Sequence, residues 1–235
     1  MPGRIKGCEQ TDGRFRVGSG EVVSFGGLNM KSLVLVGYAI LTVASCAAYS
    51  QTVPAGRAQL IVSVDLGELP ESPIFWHLYN YPTRAAAENE AAKAPRATVV
   101  EAFDKVWLYS VAGKDWHPVG GEHVADIGPL PTKPGTKYTA RYMEAVFTAG
   151  MKAAVHRHSG PEAWYLLTGT QCLETPEGMI VAHAGDTTIV PEGPPMALNS
   201  VGIETRRSVL LVLHDTAQPW ITMASDWQPK GLCPQ

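Results

Sequence analysis

"HRHSGPEAWYLLTG", residues 156–169, sets two histidines one residue apart, a serine-glycine-proline turn, a glutamate and then an apolar, aromatic run. On an extended strand, residues two apart share a face, so His156 and His158 project together. The turn folds the chain back, and Glu162 opens the next strand beside them. Two imidazoles and one carboxylate on one side of a cavity form a facial ligand set that suits non-haem Fe(II) and also accepts Mn, Ni, Co or Zn. With no metal beside it, Glu162 has a second role open to it, as a catalytic acid or base. The plainer alternative is a His-Arg-His loop at the surface.

Alternation carries the reading outward. With Glu162 inward, Trp164 and Leu166 follow it, and Met196 and Leu198 are expected on the opposite wall. Such a pocket is apolar and aromatic, which argues against a small, highly charged substrate; ordinary barrel core is the other reading of Trp164. Around it the chain is strand after strand from Lys137: "KYTARYMEAVFTAG", then "EAWYLLTG" and "TQCLETPEG" as a hairpin, "MIVAHAGDTTIVPEG" and "RRSVLLVLHD". Turns recur about every eight to twelve residues, as in an antiparallel barrel or sandwich. Arg206 and Arg207 open the last of these strands, and alternation sends at most one of them inward; a solvated pair is expected.

The spacing around the two histidines carries a resemblance. Gly150, His156, His158, Glu162 and Gly169 stand at the separations of the first cupin motif, and Gly185, Pro191 and Gly193 reproduce the start of the second. The chain therefore resembles the cupin superfamily over residues 137–216. The resemblance implies an all-β fold, a double-stranded β-helix or jelly-roll barrel, and a dimer formed through its outer sheet. It departs from the family where the fourth metal ligand belongs. Met196 stands in place of the second motif's histidine and Ser200 in place of its asparagine, with Asn199 one residue early. Three readings stay open: His156, His158 and Glu162 hold a metal alone; Met196 is a weak soft ligand or an apolar wall; or metal binding is lost and the pocket takes an organic ligand.

The other histidines add no ligand by pattern. His183 reads as surface, His214 as a solvated strand end, and His77, His117 and His123 as packing or surface residues. The front segment, residues 51–136, reads as an extension with strands and one short helix packed on the barrel. "AQLIVSVDL" and "IFWHLYNYP" are strands, Thr83 caps a helix over "RAAAENEAAKA" that Pro95 stops, and "ATVVEAFDKVWLYSVA" is two strands broken near Asp104. Residues 217–235 read as a tail that Trp220 and Trp227 pin to the barrel.

Residues 1–50 read as an address. "SLVLVGYAILTVAS" after Met30 and Lys31 has the layout of a secretory signal, too short for the roughly 20 apolar residues of a spanning helix. Translation is expected to begin at Met30. Cleavage after Ser50 gives a soluble periplasmic or secreted protein, whereas "VASC" resembles a lipoprotein box that would place a lipid anchor on Cys46. Cys172 and Cys233 then remain in the mature chain, either paired or as separate thiols. With 17% charged residues and a net charge of −3, the chain lacks the basic composition of a nucleic-acid binder.

Two functions of different class follow. One is a metal-dependent oxygenase or isomerase acting on an apolar or aromatic small molecule through a divalent transition metal (Fe, Mn, Ni or Zn) held by His156, His158 and Glu162. The other is a non-catalytic binding module of the bacterial envelope. A serine hydrolase is poorly supported, because no GxSxG elbow occurs.

Overall fold

From Lys137 to Phe147 the side chains divide between two apolar clusters, and this strand organises the molecule. Tyr138, Ala140 and Tyr142 enter one cluster; Met143, Ala145 and Phe147 enter the other. A strand buried on both faces needs a layer on each side.

The computed structural model describes residues 56–234; the expected signal, the start at Met30 and the lipid site at Cys46 lie outside them. In chain order the elements are β1 (Arg57–Glu68), β2 (Ile74–Tyr81), α1 (Arg84–Ala91), β3 (Ala97–Ala102), β4 (Lys105–Gly113), β5 (Glu122–Ile127) and β6 (Lys137–Phe147). They continue as β7 (His156–Arg157), β8 (Glu162–Thr168), β9 (Thr170–Thr175), β10 (Gly178–His183), β11 (Thr187–Val190), β12 (Ala197–Val201), β13 (Arg206–Asp215) and β14 (Thr222–Met223). Among the described residues no helix is long and apolar enough to cross a membrane.

The central sheet runs β1-β6-β13-β8-β11, and a facing sheet runs β10-β9-β12. Backbone pairing of His156 with Met196 brings β7 to the free side of β12. The chain thus passes repeatedly between two antiparallel sheets, with its first and last barrel strands, β6 and β13, side by side. That order is a jelly roll, the double-stranded β-helix. Trp164, Leu166, Leu173, Leu198, Leu210 and Val212 fill the space between the sheets.

The outer face of the central sheet carries a third layer, β3-β4-β2-β5. Trp76, Trp107 and Tyr109 from this layer pack on Tyr142, Val209 and Leu211. Phe103 and Asp104, with φ of 50° and 59°, make the two-residue turn between β3 and β4, the break expected near Asp104. Helix α1 starts where Thr83 was expected to cap it, its Oγ1 accepting from the Ala86 N–H at 3.2 Å. It ends at Ala91, before Pro95.

The structure redraws two expectations. The boundary at residue 137 is crossed by β1, which pairs with β6 over its whole length; the barrel sheet recruits its edge strand from the front segment. The hairpin expected of residues 162–178 does not form, since β8 pairs with β11 and β13 while β9 pairs with β10 and β12. Gly169 redirects the chain between sheets: its φ is +74°, and a Cβ there would lie 2.8 Å from the Arg206 Cα, so only glycine fits. Residues 217–234 are fastened to the barrel. Cys233 is bonded to Cys172, the buried Glu174 carboxylate accepts the Lys230 and Leu232 N–H groups, and β14 pairs with β7.

Candidate metal centre

Strand β7 is two residues long, yet it sorts three side chains. Arg157 turns outward, and its Nη2 donates to both carboxylate oxygens of Asp226 in the tail, each at 2.8 Å. His156 and His158 turn inward, their ring centroids 4.9 Å apart. The chain then makes a tight return. Gly160 packs so closely that a Cβ would overlap the Leu213 carbonyl oxygen, and the Leu213 N–H donates to the Pro161 oxygen at 2.9 Å. Glu162 therefore begins β8 beside the imidazoles, flanked across the sheet by Val190 and Val212.

One ligand atom from each of His156, His158 and Glu162 lies within 4.8 Å of the others. The remaining ring nitrogens are committed elsewhere. His156 Nδ1 donates to the Ala154 carbonyl at 2.7 Å, and His158 Nδ1 donates to the Trp220 carbonyl at 2.6 Å. A proton on each Nδ1 leaves Nε2 as a lone pair, the tautomer that a metal-binding histidine needs. His158 Nε2 and Glu162 Oε2 are 3.1 Å apart but have no hydrogen-bond partner of proper geometry, and both are buried. Converging at this distance, the two atoms are donors that a bound cation would satisfy together. This donor set fits a divalent transition metal.

Electrostatics separate the two imidazoles. Burial lowers the His156 pKa despite its bond to the Ala154 carbonyl. Burial acts on His158 in the same direction, but the adjacent Glu162 carboxylate outweighs it, and the net shift is upward. Trp220 holds His158 a second way. Its indole stacks on the imidazole with centroids 5.6 Å apart, while Arg141 sits 4.4 Å from the indole's centroid on its own account.

A cavity of about 300 Å³ opens from these three side chains. Trp164, Met196 and Leu198 line it, with Phe147, Leu210 and Trp220. Met196 is 1% exposed and forms part of the wall. Leu166 does not reach the lining. One alternation step beyond Trp164, it is packed wholly within the apolar cluster between the sheets.

The largest departure from expectation is Arg206. It is fully buried and lines the cavity, while Arg207 is exposed. As the first residue of β13 it shares a face with Leu210 and Val212, and that face is the cavity's. Its Cζ lies 4.5 Å from the Phe147 ring centroid, and Nη1 donates to Gln171 Oε1. Burial lowers its pKa to about 10 against the opposing pull of Glu162. The even-numbered alternation of 206, 208, 210 and 212 was the signal that could have placed it; Trp220 was legible only as a residue that fastens the tail, because a segment without periodicity places neither its ring nor its carbonyl beside His158.

The other histidines sit as follows. His183 is exposed and His214 half-buried. His77 is fully buried, its Nδ1 2.7 Å from Asp126 and its Nε2 3.0 Å from the Gly113 oxygen; His123 reaches the other oxygen of Asp126 at 3.1 Å.

No protein-family model and no curated protein matches the chain. Solved structures do resemble it. A cupin superfamily protein from Desulfitobacterium hafniense DCB-2 is 15% identical over 37% of this chain and 74% of its own, with a TM-score of 0.31. The DMSP lyase DddQ from Ruegeria pomeroyi DSS-3 is 17% identical over 39% of this chain and 45% of its own, TM-score 0.33. A cupin-like protein from Thermotoga maritima is 13% identical over 36% and 64%, TM-score 0.34. The fold of this chain is a double-stranded β-helix. The strand order of the barrel carries that statement; likeness at these identities concerns fold alone, and this chain spans less than half of the lyase.

Proposed function

We propose that this cupin barrel is a metal-dependent enzyme, an oxygenase or isomerase for a small apolar molecule, with His156, His158 and Glu162 as its metal ligands. The observation that carries the proposal is the convergence of His158 Nε2 and Glu162 Oε2, buried and unpartnered, with both Nδ1 atoms tied to carbonyls. A bound divalent metal would supply Lewis acidity and open coordination positions on the cavity side. The chain's own part is positional: the Trp220 carbonyl and indole fix the His158 ring, and Trp164, Met196 and Leu198 keep water from the ligand's apolar body. Met196 favours one competing reading, a non-catalytic pocket that binds an organic ligand without metal.

Metal content separates these readings. The protein from Gln51 onward, purified without a histidine tag, is compared with the His156→Ala, His158→Ala double variant by mass spectrometry. Near-stoichiometric metal in the wild type and none in the variant is expected. No metal in either protein, even after reconstitution with Fe(II), Mn(II), Ni(II) and Zn(II), overturns the enzyme reading.

Export to an oxidising compartment belongs to the same proposal. The Cys172–Cys233 bridge supports it, since disulfides persist in such compartments. The cleavage product is soluble when Ser50 is the exit and lipid-anchored when Cys46 is, a difference that intact mass resolves. A homodimer is part of the proposal as well, supported by the exposed Met179 and Ile180 on β10, the outer strand of the facing sheet.

A further inference from the structure

Arg206 is a fully buried cation for which the described residues supply no carboxylate within salt-bridge distance. A guanidinium has five N–H donors and no acceptor. Here Nη1 is used by Gln171, while Nε and Nη2 have no partner; the Gln171 amide nitrogen is also buried and unpartnered. Nε and Nη2 share one edge of the guanidinium plane, and two parallel N–H bonds from one edge match the two oxygens of a carboxylate. The surroundings lean the same way. Arg57 and Lys152 join Arg206 along the cavity, and Glu162 is its one carboxylate. A buried cation with no carboxylate in contact is costly, and the cost falls when an anion arrives.

We propose that Arg206 anchors the carboxylate of the cavity's ligand, which defines the substrate class as small monocarboxylates with an apolar or aromatic body. Phe147, Leu210 and Trp164 line the space for that body. The volume of about 300 Å³ corresponds to roughly ten water-sized groups, enough for a phenyl ring with a short acid chain. The inference deepens the enzyme reading and rests on it only for the role of the ligand's far end, which would face His156, His158 and Glu162. The anion anchor stands on Arg206 and Gln171 alone.

The test is binding, read by tryptophan fluorescence because Trp164 and Trp220 line the cavity, and by calorimetry. The probes are 3-phenylpropanoate, its isosteric amide, and phenylethyl phosphate, each titrated into chelator-treated and metal-reconstituted protein. In both forms the acid is expected to bind at least tenfold tighter than the amide, and tighter than the phosphate, whose third oxygen the planar edge does not match. Arg206→Gln is expected to remove the preference for the acid while leaving amide binding in place. Arg206→Lys keeps a charge but loses the planar edge; it is expected to weaken the acid at least fivefold, and it decides the matter if the glutamine variant does not fold. Equal affinity for acid and amide in the wild type overturns the anchor, as does an acid preference that survives both substitutions or no binding of the acid at all. A phosphate that outcompetes the acid overturns the carboxylate assignment. Metal content is measured on the same samples: acid preference without metal retains the anchor and refutes the metalloenzyme, whereas metal without acid preference does the reverse.

Discussion

Replacing Cys172 and Cys233 together by serine removes a cross-link that closes 61 residues of chain. In the loop-entropy model, the denatured state regains about 4 kcal/mol of freedom at 25 °C for a loop of that length. Little opposes the loss in the native state. The two sulfurs are buried beside Val201, and serines there exchange a small apolar contact for two hydroxyls. With a urea slope of roughly 2 kcal/mol per molar, the midpoint should fall by about 2 M. Equilibrium urea unfolding of wild type and variant, each followed by fluorescence and circular dichroism, measures this. The remaining ties of the tail, Arg157 with Asp226 and β14 with β7, should still hold Trp220 over His158 at low urea. A variant within about 1 kcal/mol of the wild type would refute the reasoning, because the tail would then be held by its other contacts alone.

Four further outcomes are expected. Gly160→Ala drives a Cβ into the Leu213 carbonyl; overpacking of this kind costs about 1–3 kcal/mol, and because the turn sets Glu162 against His158, bound metal should fall with stability, read by denaturation and metal analysis. Trp220→Ala removes the ring stacked on His158 and should weaken metal binding by about tenfold, the scale of outer-shell changes, as measured by competition with a chelating dye. Burial raises the Asp126 pKa, but its bonds to His77 and His123 prevail and hold it below the ordinary value. Its stabilising effect is therefore complete above pH of about 4 and lost as pH falls through the lowered value, so the stability gap between wild type and Asp126→Asn should close on acidification, as thermal unfolding at several pH values will show. Ile180→Lys places a charge on the exposed edge of β10 and should convert dimer to monomer by light scattering; an unchanged mass removes that strand from the interface.

The barrel was legible because its strands alternate and its turns are spaced by glycine and proline, so fixed separations from Gly150 to Gly193 survive as pattern. His156, His158 and Glu162 were legible for the same reason, two being a strand step apart and the third just beyond a turn. What the pattern does not carry is pairing between distant segments. Strand β1 looked like part of an extension because nothing local announces that its edge will meet β6 some eighty positions later. Arg206 looked solvated because charge usually decides where an arginine goes, and here the parity of its strand prevails over charge. Leu166 followed the right parity but lies too far along β8, and parity does not measure depth.

The clasp between His158 and the Trp220 carbonyl bears on the order in which the protein matures. Residues 217–233 follow every barrel strand, so they leave the ribosome after the barrel's sequence is complete, and their bond to Cys172 waits for an oxidant. Until that segment docks, His158 lacks the acceptor that fixes its tautomer, and only His156 and Glu162 can be in place. A chain whose last segment has yet to dock would thus present the trio with His158 unfixed. Completion of the trio is coupled to the docking of this last segment, which the sulfur bridge secures.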